Sequence, residues 1–446
     1  VQRGFDRYYG CLSGGGSYYK PTPVYNDLDP VTKFPSDYYY TTAITDSATS
    51  FIRQHPTDKP MFLYVAHYAP HLPLQAPASR VDQCRARYAV GYDVLRKQRF
   101  ERQKELGIIP DTLDLPIYDK EFSGHHPAWE ELTDAQRTQW TNDMATYAAM
   151  IEIVDDGIGQ LVDALREKGM LENTVFMFLS DNGATNEGGY IGQLMADLSN
   201  TPYRSYKQFC YNGGTSTPFI LTYGDPQKNK MAGKWTAQQA HIIDILPTCV
   251  DLADGTYPTT YKEGKALPGE SLLPAVEGAE PHDRELYFEH QGSSAVIEGD
   301  WKLVRATKNE SWQLVDLVND PFEQEHALSR ATTKIMSTLR TDWQKWANTH
   351  NVVPLEDKPW SERINYYKKL YPDQDGIDEA PVGIGQIGDG SGTLSLTRDD
   401  LQKMGKNEVS VYDLLGKRVS NISGAPNGIY IVKTTSSAAY KVVLDD

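Results

Sequence analysis

The chain has 446 residues, enough for one large domain and a smaller one, and 39% of them are hydrophobic, enough for a buried core. Sixty acidic residues against 44 basic ones give a formal charge of -16, which disfavours nucleic acid, because phosphate contacts need clustered Lys and Arg, but allows a small anionic ligand, since a few local cations can dominate a cleft. The longest apolar stretches, residues 174–179 and 218–222, are far short of a membrane span, so no transmembrane helix is expected.

In chain order, residues 61–65 (MFLYV) read as the first buried strand. A long helix follows. Thr133-Asp-Ala-Gln136 has the capping-box form S/T-x-x-E/Q. Tyr147, Met150, Ile151, Val154, Ile158, Leu161 and Leu165 then recur at helical spacing, and Gly169 can end the helix. Residues 174–179 and 219–223 read as two further strands, and 241–252 as a second helix with Pro247 as a kink or an early-turn residue. Strands alternating with helices predict an α/β domain, a mostly parallel sheet between helices.

From residue 285 the pattern changes. The runs 286–290, 294–297, 302–305 and 313–316 predict a small antiparallel sheet, and 331–349 a helix against it. Residues 373–392 are rich in Gly, Asp and Pro and read as a linker. Beyond them, 408–414, 416–420, 428–434 and 439–444 read as four strands of a C-terminal β-sandwich module. The expected boundaries are therefore 1–284, 285–372, 373–392 and 393–446. None of the four cysteines, Cys11, Cys84, Cys210 and Cys249, forms a CxxC, which argues against a zinc or thioredoxin-like site and leaves disulfide pairing open.

Each of the three strands carries a polar cluster beside it. These are Ala69-Pro-His-Leu-Pro-Leu-Gln75, Ser180-Asp-Asn-Gly183, and Lys207 with Asn212-Gly-Gly-Thr-Ser-Thr-Pro218. In open α/β sheets ligands bind beyond the carboxyl ends of strands, where the first two clusters fall. Asp181 and Asn182 offer hard oxygen ligands suited to Ca²⁺ or Mg²⁺. His71, held between Pro70 and Pro73, can donate a proton near neutral pH. Lys207 supplies a positive charge for a sulfuryl or phosphoryl oxygen. Each residue also has a structural reading: Asp-Asn-Gly as a turn, Lys207 as a solvated surface group, and His71 as a loop residue. His67 reads as a satisfied or exposed histidine.

The runs Arg3-Gly-Phe-Asp-Arg-Tyr-Tyr-Gly10, 69–77 (APHLPLQAP), Tyr147-Ala-Ala-Met-Ile-Glu152, 180–184 (SDNGA) and Gly213-Gly-Thr-Ser-Thr-Pro218 together resemble the arylsulfatase-type sulfatases, in family order from residue 1 to about residue 360. The resemblance implies an alkaline-phosphatase-like fold with Ca²⁺ at the site. It further implies metal ligation by Asp181 and Asn182, contact with the sulfate or leaving-group oxygen by His71, and sulfate binding by Lys207. The position usually held by Glu in the family's EGG is Asn212 here, a departure that bears on local loop packing.

A larger departure concerns the nucleophile. The family uses a formylglycine made from the Cys or Ser of C/S-x-P-x-R, and no residue of this sequence stands in that motif. In the family that motif, the paired aspartates completing the metal site, and a second lysine and histidine precede the RGFD segment. The resemblance therefore implies a chain truncated before that segment, inactive alone and of weak stability. The last 60 or so residues, with 409–419, Pro426-Asn-Gly-Ile-Tyr-Ile-Val-Lys433 and Lys441-Val-Val-Leu444, resemble the sorting domain of bacterial type IX secretion. This implies the type IX machinery as a partner and location at the cell surface or in the medium of a Bacteroidetes-like bacterium, with the periplasm as alternative.

The expected function is sulfuric ester hydrolysis, on sulfated glycans or other organic sulfates. The alternatives are a phosphodiesterase or phosphotransferase of the same superfamily, and a non-catalytic relative that binds sulfated glycans.

Overall fold

A computed structural model describes residues 4–12, 16–21, 23–116, 127–187, 189–257, 268–350, 352, 409–413, 428–434 and 439–444. They fall into two units: residues 1–51, 65–73 and 356–446 in one, and 52–64 and 74–355 in the other.

In the first unit β1 (Tyr9–Cys11), β2 (Val24–Asn26) and β3 (Asp29–Pro30) form a small antiparallel meander. Helix α1 (Tyr40–Gln54) begins there, and the Tyr40 hydroxyl accepts the Cys11 N–H at 2.7 Å. Near the C-terminus β10 (Val409–Asp413), β11 (Gly428–Thr434) and β12 (Ala439–Leu444) pair antiparallel in chain order. The expected linker and the fourth expected strand, 416–420, lie outside the described residues.

The second unit is organised around α4 (Asp134–Glu167), with α2 (Ala78–Tyr88) and α3 (Tyr92–Glu105) before it. The capping box forms as the sequence predicts. The Gln136 N–H donates to Thr133 Oγ1 at 3.3 Å, and the Thr133 N–H to Gln136 Oε1 at 2.9 Å. At the other end Gly169, at φ +68°, turns the chain in the left-handed region, and the Met170 N–H closes on Leu165 O. Trp140 and Met144 of α4 pack with Tyr92, Leu132, Leu194, Met195 and Leu198 in one core, α5 (Gly189–Asn200) supplying the last three. Ala145, Ala148 and Ala149 meet Val81 and Cys84 of α2 in another. Of the expected core positions, Ile151 lies outward at 43% exposure.

Two expectations about the central sheet are corrected. Strands β4 (Val175–Leu179) and β5 (Phe219–Tyr223) pair antiparallel, in register from Val175–Tyr223 to Leu179–Phe219. No parallel pair occurs among the described residues, because periodicity reports which face is apolar and not the direction of the partner. Residues 61–65 carry no strand ladder. Their alternation persists: Met61 and Leu63 pack with Ile52, Ala164, Leu165 and Phe176, while Phe62 and Tyr64 are 65% and 73% exposed. A period-2 apolar segment becomes a strand only when an edge is offered to it.

The part of the second unit after residue 284 follows the sequence closely. Strands β6 (Glu285–His290), β7 (Ser293–Glu298), β8 (Trp301–Arg305) and β9 (Gln313–Asp316) make a four-stranded antiparallel meander. Its Val296, Leu303 and Leu314 pack against Leu339, Trp343 and Ala347 of α9 (Thr333–Thr349). Two short helices, α6 (Asn212–Thr215) and α7 (Ile245–Leu252), precede it, and α8 (Leu273–Val276) completes the set. Pro247 occupies the first turn of α7, where its missing N–H costs nothing. No described helix is long and apolar enough to cross a membrane.

Candidate functional site

The turn that leaves β4 is built on backbone contacts. The Ser180 N–H donates to Pro218 O at 3.2 Å and Thr217 Oγ1 to Ser180 O at 3.0 Å, so the turn is tied to the residues that enter β5. Ser180 Oγ closes on Asn182 O at 2.8 Å. This leaves Asp181 exposed, while the Asn182 amide donates to Gly183 O at 2.9 Å.

Glycine is required where this turn meets α6. A Cβ on Gly183 would lie 1.7 Å from Gly213 O, and one on Gly213 2.2 Å from Ser205 O. Three stretches of backbone, at residues 183, 213–214 and 204–206, are thus stacked without side chains between them. The Gly183 N–H donates to Gly214 O at 3.2 Å and the Gly213 N–H to Arg204 O at 2.7 Å. Asn200, at the end of α5, clamps the same layers: its Oδ1 accepts the Ala184 N–H at 3.0 Å and its Nδ2 donates to Ser205 O at 2.8 Å.

Lys207 is positioned by this stack. Its N–H donates to Ala184 O at 3.0 Å, and its Nζ lies 3.3 Å from Glu187 Oε1. The side chain is only 18% exposed against 49% for Glu187. Asp181, Asn182 and Lys207 are therefore brought onto interlocked loops. Glu187 is a member that the sequence reading missed, since one acidic residue in a polar loop carries no signal of its own.

Below α6 lies a buried ionic network. Lys302 Nζ is 2.8 Å from Glu323 Oε1, both side chains being fully buried, and it donates to Asn212 Oδ1 at 2.7 Å. Glu323 Oε2 accepts the Asn212 N–H at 2.5 Å, and Asn212 Nδ2 donates to Pro321 O at 3.0 Å. Burial pushes the Glu323 carboxyl upward, opposed by Lys302, the Asn212 N–H and Arg204. Arg204 lies over the Tyr211 ring at 4.2 Å and donates to Glu323 O at 2.9 Å. Asn212 is thus the bridge between Lys302 and Glu323, and its effect reaches well past local loop packing.

His71 belongs to the first unit. Its N–H donates to Tyr68 O at 3.0 Å, its carbonyl accepts the Tyr18 hydroxyl at 2.8 Å, and its Nδ1 lies 2.9 Å from Leu72 O. His67 differs from the expectation of a satisfied or exposed histidine. Both ring nitrogens are buried without a hydrogen-bond partner, and burial lowers its pKa to about 4. None of the four cysteines is in a disulfide.

Asp181 and Asn182 supply hard oxygens, which suits Ca²⁺ or Mg²⁺ in kind. They are two side chains of the six to eight oxygens that Ca²⁺ takes, and no three His, Cys, Asp or Glu side chains converge on a metal position among the described residues.

The Sulfatase family model matches residues 1–256. An uncharacterized sulfatase of Schizosaccharomyces pombe is 28% identical over 82% of this chain and 74% of its own length. The arylsulfatase of Klebsiella aerogenes is 29% identical over 61% of this chain, which spans 64% of that enzyme. Among solved structures, Ps i-CgsB in complex with k-i-k-neocarrahexaose superposes with a TM-score of 0.56 at 23% identity, covering 83% of this chain and 72% of that one. BT4656 in complex with its substrate D-glucosamine-2-N,6-O-disulfate gives 0.52 at 18% identity, covering 80% and 79%. These structural likenesses concern the fold. The family match covers more than half the chain and takes in the Ser180–Gly183 turn, Lys207 and the Gly213-Gly214 pair that lock together in the structure. This chain belongs to the sulfatase family.

Proposed function

We propose that this chain recognises the sulfate ester of a sulfated sugar, within the sulfuric ester hydrolysis that characterises its family. The observation that carries the reading is the Lys207 ammonium, three-quarters or more buried and held beside the Ser180–Gly183 turn by backbone and by Glu187. An ammonium has three N–H donors, so Lys207 can hold a sulfuryl oxygen as well as a carboxylate. Asp181 and Asn182 would hold a hard divalent cation, Ca²⁺ or Mg²⁺, which when bound polarises the sulfuryl oxygens as a Lewis acid. For His71, which belongs to the first unit, the family resemblance is the support for a role in giving a proton to the leaving-group oxygen. No residue of the 446 stands in the C/S-x-P-x-R context of a formylglycine nucleophile, so recognition rather than turnover is assigned to this chain's own residues.

A sulfated sugar is supported by the disulfated glucosamine bound to BT4656, a protein of the same fold. The test is calorimetric titration of the chain with D-glucosamine 6-sulfate in the presence of Ca²⁺. Lys207→Ala is expected to weaken binding by about ten-fold or more, from the 1.5–3 kcal/mol of a hydrogen bond to a charged group. Binding that survives Lys207→Ala unchanged would overturn the reading. The same reading takes residues 393–446 as a type IX export module. A reporter carrying them that stays inside a type IX-competent cell would count against it.

A further inference from the structure

We propose that Tyr18 and Tyr68 are positioning residues that fix the His71 imidazole with the proton on Nδ1, so that Nε2 is the acceptor nitrogen of the neutral ring. The inference rests on the reading of His71 as an ester-contacting residue and concerns how this chain prepares it.

Leu72 O, 2.9 Å from His71 Nδ1, can only accept, so that contact is a hydrogen bond only when Nδ1 carries the proton. The Tyr68 hydroxyl lies 3.3 Å from the same nitrogen and donates its own proton to Leu72 O. With that proton committed, its oxygen faces Nδ1 as a second acceptor. These two contacts therefore select the same tautomer.

The ring plane is fixed by stacking. His71 stacks on Tyr68 with centroids 5.3 Å apart, Tyr68 on Tyr18 at 5.1 Å, and Tyr18 on Tyr39 at 5.7 Å. Tyr18 is fully buried, and its hydroxyl donates to the His71 carbonyl at 2.8 Å. Burial raises the Tyr18 pKa further from neutrality, so it stays a donor across the working pH range. One buried tyrosine thus holds the His71 backbone, and through Tyr68 it holds the ring. His71 itself is exposed, and an exposed imidazole without such supports would sample several rotamers and both tautomers. Fixed in this way, the neutral ring presents the Nε2 lone pair, and the protonated ring presents an Nε2–H donor, at one place.

Long-range ¹H–¹⁵N correlation spectra of the full chain at alkaline pH, where imidazoles are neutral, test this directly. The expected result is a protonated-type Nδ1 and an unprotonated-type Nε2 in the wild type. Tyr68→Ala should give a tautomer mixture, and Tyr68→Phe, which keeps the stacking ring, a smaller shift in the same direction. An Nε2–H tautomer in the wild type, or spectra unchanged in both variants, overturns the proposal. If Tyr68→Ala does not fold, Tyr68→Phe alone decides by the same criterion. A separate titration of His71→Ala with D-glucosamine 6-sulfate tests the underlying reading. Unchanged affinity there removes His71 from the ligand while leaving the tautomer result standing.

Discussion

Replacing Glu323 by Gln keeps the shape of the side chain and deletes its charge, leaving the Lys302 ammonium buried opposite a neutral amide. The pair is 2.8 Å apart with both side chains fully buried. At an effective dielectric of about 20 the attraction is on the order of 6 kcal/mol, set against the cost of removing both ions from water. The relevant quantity is the cost of stranding one partner, which for buried pairs is about 3–5 kcal/mol. A Gln also offers an N–H where Lys302 or the Asn212 N–H needs an acceptor. Glu323→Gln should therefore lower the unfolding free energy by about 3–5 kcal/mol in urea titrations followed by tryptophan fluorescence, Trp312 and Trp343 lying in the adjacent core. Replacing both partners, Lys302→Met with Glu323→Leu, removes the stranded charge and should recover a large part of the loss. Because Asn212 opens the helix on which Gly183 rests, Glu323→Gln should also weaken the sulfate binding proposed for Lys207. A loss below about 1 kcal/mol, no greater than for an exposed pair, would refute the network's role.

Gly183→Ala places a Cβ 1.7 Å from Gly213 O, so the turn must move; a loss of about 1–3 kcal/mol and of ligand binding is expected, and an unchanged melting temperature would contradict the stacking argument. Glu187→Gln removes the carboxylate that competes for Lys207 and should tighten sulfate-ester binding about two- to five-fold, the worth of a partly exposed pair; weaker binding would show that Glu187 supports the ligand. His67 is lowered by burial from 6.5 to about 4, so its contribution is fully present above pH 6.5. As pH falls the unfolded chain takes up the proton first, and roughly 3 kcal/mol is lost by pH 4. His67→Phe should lose correspondingly less stability between pH 7 and pH 4, and an identical acid loss in both proteins would remove His67 as its source.

Much of the fold was legible because the deciding signals are local. Thr133, Gln136 and Gly169 set the ends of α4 through contacts spanning three to five residues, and the short alternating runs after residue 285 pair with their sequence neighbours. Helices α2 and α3 left little trace because they are charged over most of their surface, burying Val81 and Cys84 in one and Tyr92, Arg96 and Phe100 in the other. Arg96 is buried with Pro116 O and Thr201 Oγ1, the latter 105 positions along the chain, accepting from it. The central sheet was misread for the opposite reason. Residues 61–65, 175–179 and 219–223 all look like buried strands, yet Phe178 and Ile220, paired across β4 and β5, are 44% and 54% exposed. A β-branched or aromatic run states a preference for an extended backbone and an apolar face, and the partner that covers that face is not written in the run.

The site divides along the same line. Asp181, Asn182, Gly183 and Lys207 could be singled out because turn chemistry and glycine spacing are visible in a few consecutive residues. What holds them in place was not visible. Asn212 looks in sequence like the loss of a carboxylate from a loop. In the structure a carboxylate is still present there, supplied by Glu323 from 111 positions further along the chain, and Lys302 of β8 closes the circuit. Neither residue is remarkable in composition or spacing, and each would be expected on the surface, since Lys and Glu are almost never fully buried unless paired. Their burial is intelligible only as a pair, and the pair only through the Asn212 N–H and Oδ1 that it grips. The four-stranded sheet therefore meets the site loop through this buried charge pair as well as through Gln313, which accepts from Arg204 and Tyr211, and Ser293, which accepts the Cys210 N–H, so a substitution of Lys302 in β8 should be felt at Lys207.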